Sequence, residues 1–151
     1  MYTVNPIGIV HCPVTEMSQG NWRDVESEIR LDPTYVPGLA GLAEFSHIMV
    51  VFWLHQAMGF DPGKQLLRKP RGMDNLAAVG VFAQRTKYRP NPIAVSSVPL
   101  KEIRGGTIVV TGLDALDGTP VLDIKPYIPP FDSHPAATNP DWVKYFIDGY
   151  F

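Results

Sequence analysis

Two stretches of the chain place polar and charged side chains beside prolines. The first runs from residue 80 to residue 93 and the second from residue 114 to residue 127. Because proline fixes its own φ angle and restricts the residue before it, both stretches hold these side chains on stiff backbone. A preorganised binding site requires such stiffness, so we interpret both as candidates for a nucleotide-cofactor site.

The first stretch contains two arginines and a rigid Arg-Pro-Asn-Pro segment at residues 89–92. The guanidinium groups of Arg85 and Arg89 are suited to bidentate contacts with a carboxylate or phosphate, or to stacking on a base. The alternative is that both side chains only brace the loop against aspartates of the second stretch. The residue pattern leaves both interpretations open.

The second stretch carries three functional groups at alternate positions. If a strand continues through this region, Asp123, Lys125 and Tyr127 lie on one face of it. A carboxylate, an ammonium and a phenol then converge, either to hold ribose hydroxyls and an amino-acid moiety or to transfer a proton. A structural ion pair at the rim of a barrel is the alternative interpretation.

Other common chemistries lack their motifs. His47 and His55 would face the same way along a strand but would lie roughly 26 Å apart, and neither Cys-x-x-Cys nor His-x-x-x-His occurs, so we predict no metal. The single cysteine, Cys12, excludes an internal disulfide framework. The chain also has no Gly-x-Ser-x-Gly, no P-loop and no Gly-x-Gly-x-x-Gly motif, which argues against a Rossmann fold.

The composition indicates one globular domain. A chain of 151 residues with 45% hydrophobic and 19% charged residues comfortably builds a single core, so we expect one domain over residues 1–151. No apolar run approaches the ~18 residues of a membrane span. The N-terminal residues show no signal-peptide pattern, so we expect a cytoplasmic protein that does not enter a membrane.

The net charge of -2 conceals a basic segment. Of the 13 basic residues, 7 lie between positions 64 and 89, where Asp74 is the only acid. These residues are Lys64, Arg68, Lys69, Arg71, Arg85, Lys87 and Arg89. Such a segment is able to neutralise phosphates, although a solvated loop is the simpler interpretation of residues 64–71.

The elements that must position these groups are mostly strands. Seven short segments rich in β-branched or aromatic residues are predicted as strands: 6–11, 25–31, 48–54, 78–84, 93–100, 107–113 and 121–124. Turns are expected at Arg104-Gly105-Gly106 and at Asp117-Gly118. We therefore predict a mainly β fold, a small antiparallel β-barrel of about six to seven strands with short helices and long loops.

Two segments carry apolar side chains that we expect another part of the protein to bury. The run from Ile48 to Leu54 is apolar at odd and even positions, so its second face should lie under a helix, a loop or a partner subunit. Asn139 is expected to cap a short helix over residues 141–147, with Pro140 in its first turn. The aromatic side chains of this tail should pack on the barrel or on a second subunit; they are Trp142, Tyr145, Phe146, Tyr150 and Phe151.

Four ordered motifs resemble the TsaA-like (TrmO-type) family of S-adenosylmethionine-dependent tRNA methyltransferases. The family pattern Gly-Val-Phe-Ala-x-Arg-x-x-x-Arg-Pro-Asn-Pro-Ile-Gly-x-Ser is similar to residues 80–96, and Leu-Asp-x-x-Asp-Gly-Thr-Pro-x-x-Asp-Ile-Lys-Pro-Tyr to residues 113–127. Gly-Leu-x-x-Leu-x-x-Phe-Ser-His matches residues 38–47, and Ile-Gly-x-Val-x-x-Pro matches residues 7–13. The resemblance therefore extends over almost the whole chain.

The resemblance implies a small β-barrel, usually a homodimer, that binds S-adenosyl-L-methionine outside any Rossmann fold. It also implies N6-methylation of N6-threonylcarbamoyladenosine beside the anticodon of tRNA. Two alternatives remain: the same cofactor and chemistry on another RNA or small-molecule acceptor, or a cofactor-binding module without catalysis.

The same resemblance implies the site residues. One wall of the cofactor pocket is expected to consist of Phe82, Arg85, Arg89, Pro90, Asn91 and Pro92. The other is expected to consist of Leu122, Asp123, Ile124, Lys125 and Tyr127, with Ser46 and His47 nearby. Tyr127, Asp123 or His47 is expected to move the proton, and Lys125 to orient the substrate.

Three departures from the family pattern bear on the substrate. Ala94 stands where the family commonly has glycine, and its methyl group is expected to narrow the pocket. Residues 14–24 differ from the segment of the bacterial enzymes, which we expect to alter RNA contacts. The sequence reaches Phe151, and we expect it to lack the small C-terminal domain of longer members.

Overall fold

The fold is a closed barrel of antiparallel strands. A computed structural model describes residues 1–17, 20–57, 59–148 and 150. Within these residues the strands are β1 (Gly8–His11), β2 (Glu26–Leu31), β3 (His47–Trp53), β4 (Leu67–Arg68), β5 (Val79–Gly80), β6 (Ile93–Arg104), β7 (Thr107–Thr111) and β8 (Pro120–Pro126). Six of them close the barrel in the order β1-β2-β7-β6-β3-β8, and β4 pairs with β5 outside it. The predicted fold class is confirmed.

The core fills the barrel because alternate strand residues point inward. In β3, Ile48, Val50 and Phe52 are fully buried, whereas the residues between them are only half-buried on the outer face. Each such buried side chain contributes about 1.5–3 kcal/mol. The core also contains Val10, Ile29, Val98, Ile108, Val110, Leu113 and Val121. The outer face of β3 is therefore only partly covered within the chain.

The two predicted turns are present. Gly105 and Gly106 connect β6 to β7, and Gly105 has a φ of 57°. At Asp117-Gly118, Gly118 has a φ of 82° and the amide of Thr119 donates to the carbonyl of Leu116 at 3.1 Å. Strand β6 continues beyond its predicted end at residue 100, because the hairpin keeps it paired with β7 up to Arg104.

The predicted strand over residues 78–84 is mostly wrong. Only β5 is extended, and Val81–Ala83 form a 3-10 turn. The ladder stops because β4 offers just two partner residues. The side-chain amide of Gln84 then donates to the carbonyls of Arg68 (2.9 Å) and Val79 (3.1 Å). The pairing of β4 with β5 ends here. This turn begins the proline-rich loop that leads into β6.

The helices of the described residues are short: α1 (Pro62–Gln65), α2 (Pro129–Asp132) and α3 (Lys144–Ile147). 3-10 helices cover Pro33–Leu39, Leu42–Glu44, Pro70–Gly72 and Asp141–Val143. In the described part of the chain, none of these helices has the length and apolar character needed to cross a bilayer.

The C-terminal segment differs from its prediction at its start. Asn139 does not cap the helix, because Pro140 occupies the N-cap position. The side-chain amide of Asn139 donates to the Pro140 carbonyl at 3.0 Å. Further along, the amide of Trp22, in the segment before β2, donates to the Tyr150 carbonyl at 2.9 Å. Phe151, and Ser18 and Gln19 of the atypical 14–24 segment, lie outside the described residues.

Candidate functional site

Asp123 and Lys125 form an ion pair on the outer face of β8. They pair with Val51 and Met49 of β3, and Lys125 Nζ lies 2.6 Å from Asp123 Oδ2. The hydrogen bond that the Lys125 ammonium donates to this carboxylate, and then the negative charge of the carboxylate, raise the pKa of Lys125 above its ordinary value. Lys125 is therefore a cationic anchor at neutral pH and is not suited to act as a base.

His47 and Tyr127 extend this polar face beyond the end of β8. The amide of Tyr127 donates to the His47 carbonyl at 3.1 Å, and the two ring centroids are 6.3 Å apart. Ser46 Oγ lies 2.8 Å from His47 Nδ1. The structure thus brings the predicted carboxylate, ammonium and phenol onto one face and adds an imidazole and a hydroxyl to them.

Leu122 and Ile124 play a different part from their neighbours. Val51 pairs with Asp123, and the next residue, Phe52, pairs with Val121. This register shift leaves Leu122 without a partner in the ladder between β3 and β8. Ile124 packs against the barrel core. Its amide donates to Asp123 Oδ1 at 2.9 Å, which helps to fix that carboxylate.

Arg89 braces the proline-rich loop from within. Its Nη1 atom donates to the carbonyls of Val81 (3.1 Å) and Gln84 (2.6 Å). Its Cζ atom lies 6.0 Å from the centroid of the Phe82 ring. Arg89 thus braces the loop through backbone carbonyls and not through the aspartates of the second stretch, and its contact with a cofactor stays a prediction. The Phe82 side chain itself is 78% exposed.

The rest of this loop connects Phe82 to the barrel. Arg85, Pro90 and Asn91 are exposed, while Pro92 is buried. The Pro92 carbonyl accepts a hydrogen bond of 2.7 Å from the amide of Leu54, just beyond β3. The first wall of the predicted pocket is therefore a stiff loop attached to the Trp53 end of β3.

The predicted site residues are spread along β3. Ile93, at the end of the loop, pairs with Trp53, whereas Tyr127 pairs with His47 at the other end. These two ends are separated by roughly 20 Å of extended strand. The separation therefore applies to Tyr127, which lies with Ser46 and His47. Asp123 pairs with Val51, only two positions from Trp53 and the end of the loop.

Ala94 lies inside the barrel. It pairs with the fully buried Phe52 and packs against the core. Its methyl group therefore contributes to the core, and the narrowing of the pocket stays a prediction. The Ala94 side chain points inward because side chains alternate along β6, and those of Ile93 and Val95 point outward.

A polar cluster around Asp114 was not singled out from the sequence. Asp114 accepts hydrogen bonds from the Ser96 hydroxyl and, at 2.5 Å, from the Tyr150 hydroxyl. Burial raises the pKa of Tyr150 well above its ordinary value, the Asp114 carboxylate raises it further, and Arg71 and Arg85 oppose both. No local pattern links these residues, because 36 positions separate Tyr150 from Asp114.

An apolar groove of about 560 Å³ adjoins the polar face. Leu39, Leu42 and Phe45 of the Gly-Leu motif line one side, and Asp123 and Ile124 line the other. Side chains of that motif and of the second stretch therefore line one surface beside Asp123.

Metal-ion binding finds no support in the described ranges, where no three His, Cys, Asp or Glu residues are grouped to hold an ion. His47 and His55 lie at opposite ends of β3. His55 Nδ1 lies instead 3.5 Å from Thr119 Oγ1.

The atypical segment before β2 lies next to the loop. Lys87 Nζ is 3.7 Å from the sulfur of Met17, and the Met17 side chain is 55% exposed. A change of sequence in this segment therefore alters the surface beside the proline-rich loop.

Comparison with known proteins identifies relatives over nearly the whole chain. A family model described as the tRNA-methyltransferase O N-terminal domain matches residues 9–133. A Methanothermobacter thermautotrophicus protein named "Probable S-adenosyl-L-methionine-binding protein" is 43% identical over 135 residues, which cover 86% of this chain and 93% of that protein. The Escherichia coli tRNA (adenine(37)-N6)-methyltransferase is 39% identical over 145 residues, covering 87% of this chain and 60% of the enzyme.

The fold is similar to solved crystal structures of TrmO. A crystal structure of TrmO from Pseudomonas aeruginosa superposes with a TM-score of 0.77 and 32% sequence identity. The match covers 94% of this chain and 62% of that one. The chain thus spans about three fifths of the length of these bacterial proteins and almost all of the archaeal one.

Proposed function

This chain belongs to the family of the tRNA-methyltransferase O N-terminal domain, and on that premise we propose that it methylates tRNA. The methyl group comes from S-adenosyl-L-methionine, and the acceptor is N6 of N6-threonylcarbamoyladenosine next to the anticodon. The observation that carries this proposal is the convergence of Asp123, Lys125, Tyr127 and His47 on one face of a barrel of this family. A tRNA substrate implies a cytoplasmic location.

The residues of the proline-rich loop fit the cofactor. Phe82 offers a ring that is 78% exposed, which suits stacking on adenine. Arg85 is an exposed cation suited to the carboxylate of the amino-acid part. Arg89 holds the turn in place, and residues 90–92 restrict the loop, so little entropy is lost when a ligand binds. When bound, S-adenosyl-L-methionine supplies an electrophilic methyl group on a sulfonium sulfur.

The residues of β8 fit the acceptor and the second wall of the pocket. Lys125 stays protonated, so it orients a carbonyl or carboxylate of the modified adenosine. Asp123 offers a carboxylate for ribose hydroxyls, and the apolar groove beside it accommodates a ring. Leu122 and Ile124 contribute their backbone, and the form that their side chains give it, to the second wall of the pocket.

The reaction requires a route for one proton. Phe82 and Arg85 would hold the methyl donor, its methyl group would pass to the acceptor nitrogen, and the N–H proton would leave for a side chain or water. A ureido nitrogen is a weak nucleophile, so positioning and exclusion of water must supply most of the rate. We assign the proton to the pair of His47 and Tyr127 or to Asp123, because Lys125 already carries its own proton.

We also propose that the chain acts as a homodimer. The outward side chains of Val51, Trp53, Ile93 and Val95 form an apolar strip on adjacent strands, and Val95 is 48% exposed. This strip lies beside Asp123 and beside the end of the proline-rich loop. A second copy on this strip would bring residues 82–92 of one protomer toward residues 123–127 of its partner, so that both chains would contribute to each site.

The experiment is methyl transfer from labelled cofactor to total tRNA. Two tRNA preparations are compared, from cells able and unable to make threonylcarbamoyladenosine. We expect label only in the first preparation, and none with the Lys125→Ala variant. Equal labelling of both would favour another acceptor on RNA. Cofactor binding in calorimetry without label in any tRNA would indicate a small-molecule acceptor or a binding module without catalysis.

A further inference from the structure

The basic segment between residues 64 and 89 contains cations that carboxylates do not neutralise. Lys64 pairs with Asp61 at 3.5 Å and Lys69 pairs with Asp74 at 3.4 Å. Among the residues that the structure describes, the other five form no ion pair. These five are Arg68, Arg71, Arg85, Lys87 and Arg89.

Aromatic rings hold three of these cations in place. Arg68 Cζ lies 4.3 Å and Lys87 Nζ lies 5.0 Å from the centroid of Tyr88. Arg71 Cζ lies 4.7 Å from the centroid of Phe146. A cation over a ring face keeps N–H donors available for another acceptor. These side chains are therefore ordered without being neutralised.

Arg68 and Lys87 share the Tyr88 ring beside the loop, and Arg71 follows Arg68 by three positions and lies over Phe146 and Tyr150. The Gln84 amide donates to the carbonyl of Arg68, and Arg89 donates to the carbonyl of Gln84. Arg71 has a φ of 49°, a conformation unfavourable for a residue with a side chain, within the 3-10 turn of residues 70–72. The basic surface thus lies directly beside the loop that carries Phe82.

Cations on the barrel strands behave differently. Arg30 and Arg104 both pair with Glu28, at 2.9 Å and 3.2 Å, and Lys101 pairs with Glu26. The acids of the chain therefore neutralise the barrel side and leave the basic surface charged. Such a concentration of like charge costs free energy in the isolated protein and favours a polyanionic partner.

We propose that Arg68, Arg71 and Lys87 bind the phosphate backbone of the RNA substrate, in the loop that contains the target base. This inference rests on the proposed function, because it supposes an RNA acceptor. Guanidinium groups match phosphate geometry, and the counterions that they release from RNA drive binding. A single-stranded loop exposes its backbone and bases together, which suits cations interleaved with aromatic rings.

The test is fluorescence anisotropy with a labelled anticodon stem-loop RNA over a series of KCl concentrations. The variant Arg68→Gln/Arg71→Gln/Lys87→Gln is compared with the control Arg30→Gln/Lys101→Gln/Arg104→Gln, which removes the same charge from the barrel side. We expect the first variant to bind at least about tenfold more weakly and the slope of log K against log[salt] to fall by about two. The control should bind like the wild type.

Folding is checked by thermal unfolding and by calorimetric titration with S-adenosyl-L-methionine. If the triple variant fails to fold, Arg71→Gln alone serves, because its side chain is exposed; its salt slope should fall by about 0.7–1. An unchanged affinity and slope in the folded variant would overturn the inference, and the proposed function would stand if that variant still methylated tRNA.

The opposite failure is also recognisable. RNA binding that depends on these three residues, without methyl transfer to any tRNA, would uphold the inference and refute the proposed function. Wild-type protein that ignores RNA but binds vesicles containing phosphatidylserine would overturn the inference in favour of an anionic membrane surface.

Discussion

Lys125 Nζ lies 2.6 Å from Asp123 Oδ2 on the outer face of β8, at alternate positions of one strand. Neither side chain supports the core, since Lys125 is exposed and Asp123 is half-buried. The pair nevertheless holds an ammonium and a carboxylate in a fixed relation beside His47 and Tyr127. The pair therefore contributes little to stability, because an exposed ion pair adds little to the free energy of folding.

Lys125→Ala should lower methyl transfer by a factor on the order of 10² or more, because the acceptor loses its anchor. The free energy of unfolding should change by less than about 0.5 kcal/mol. Single-turnover assays and urea unfolding measure the two effects. Lys101→Ala, which breaks an exposed ion pair with Glu26, is the matched control and should keep wild-type activity. Normal turnover in Lys125→Ala would refute the assigned role.

Arg89→Ala should loosen the proline-rich loop, because the carbonyls of Val81 and Gln84 lose their donor. We expect faster amide exchange over residues 80–92, weaker cofactor binding and a loss of about 1–2 kcal/mol of local stability. Arg85→Ala is the comparison: it should weaken cofactor binding without faster exchange. Equal exchange in the wild type and in Arg89→Ala would contradict the bracing role.

Tyr150→Phe should change how stability depends on alkaline pH. The pKa of Tyr150 is raised in the folded chain, so the unfolded chain loses this proton first, from about pH 10. The free energy of unfolding therefore falls as the pH rises beyond that value. Urea unfolding between about pH 9 and 11 should show a shallower decline for the variant, which starts about 1 kcal/mol lower at neutral pH. Tyr2→Phe, fully exposed, should follow the wild type; a decline in Tyr150→Phe as steep as theirs would be evidence against the role of this hydroxyl.

Val95→Asp should convert the proposed dimer into monomers, because it places a charge in the middle of the apolar outer strip. The monomer should still fold, since Val95 is 48% exposed. Sedimentation velocity gives the mass, and methyl transfer should fall with the dimer fraction. Val4→Asp, at a site that is 56% exposed and far from the strip in sequence, controls for the added charge. A wild type that sediments as a monomer would remove the proposal.

Ala94→Gly should destabilise the barrel by about 1 kcal/mol, through the lost core methyl group and the freer backbone of the unfolded chain. Cofactor affinity should not change, because the methyl group faces Phe52 inside the barrel. Chemical unfolding and calorimetry measure the two quantities. Tighter cofactor binding in the variant would show that the methyl group reaches the pocket after all.

Prediction from the sequence worked where one local property decides the structure. Runs of β-branched and aromatic residues located β2, β3 and β7, and the glycine-containing sequences Arg104-Gly105-Gly106 and Asp117-Gly118 located the turns, where Gly105 and Gly118 have positive φ. It failed at residues 78–84, where the apolar pattern is strand-like but the partner strand is only two residues long. Strand length depends on the partner as well as on the segment itself.

The candidate site shows the same division. Spacing alone placed Asp123, Lys125 and Tyr127 on one face, because side chains alternate along any extended strand. Residue types alone indicated that Arg89 would hold either a ligand or the loop. Its actual partners, two carbonyls of a turn, depend on backbone that the sequence pattern predicted as strand.

Local sequence was therefore enough to specify a small β-barrel with two stiff, charged stretches, because period-two alternation and proline geometry act within a few residues. Only the closed barrel settled which groups meet: His47 with Tyr127, Tyr150 with Asp114, and Ala94 with the core rather than the surface. Those contacts join residues distant along the chain, and strand order and register, which no short segment encodes, bring them together.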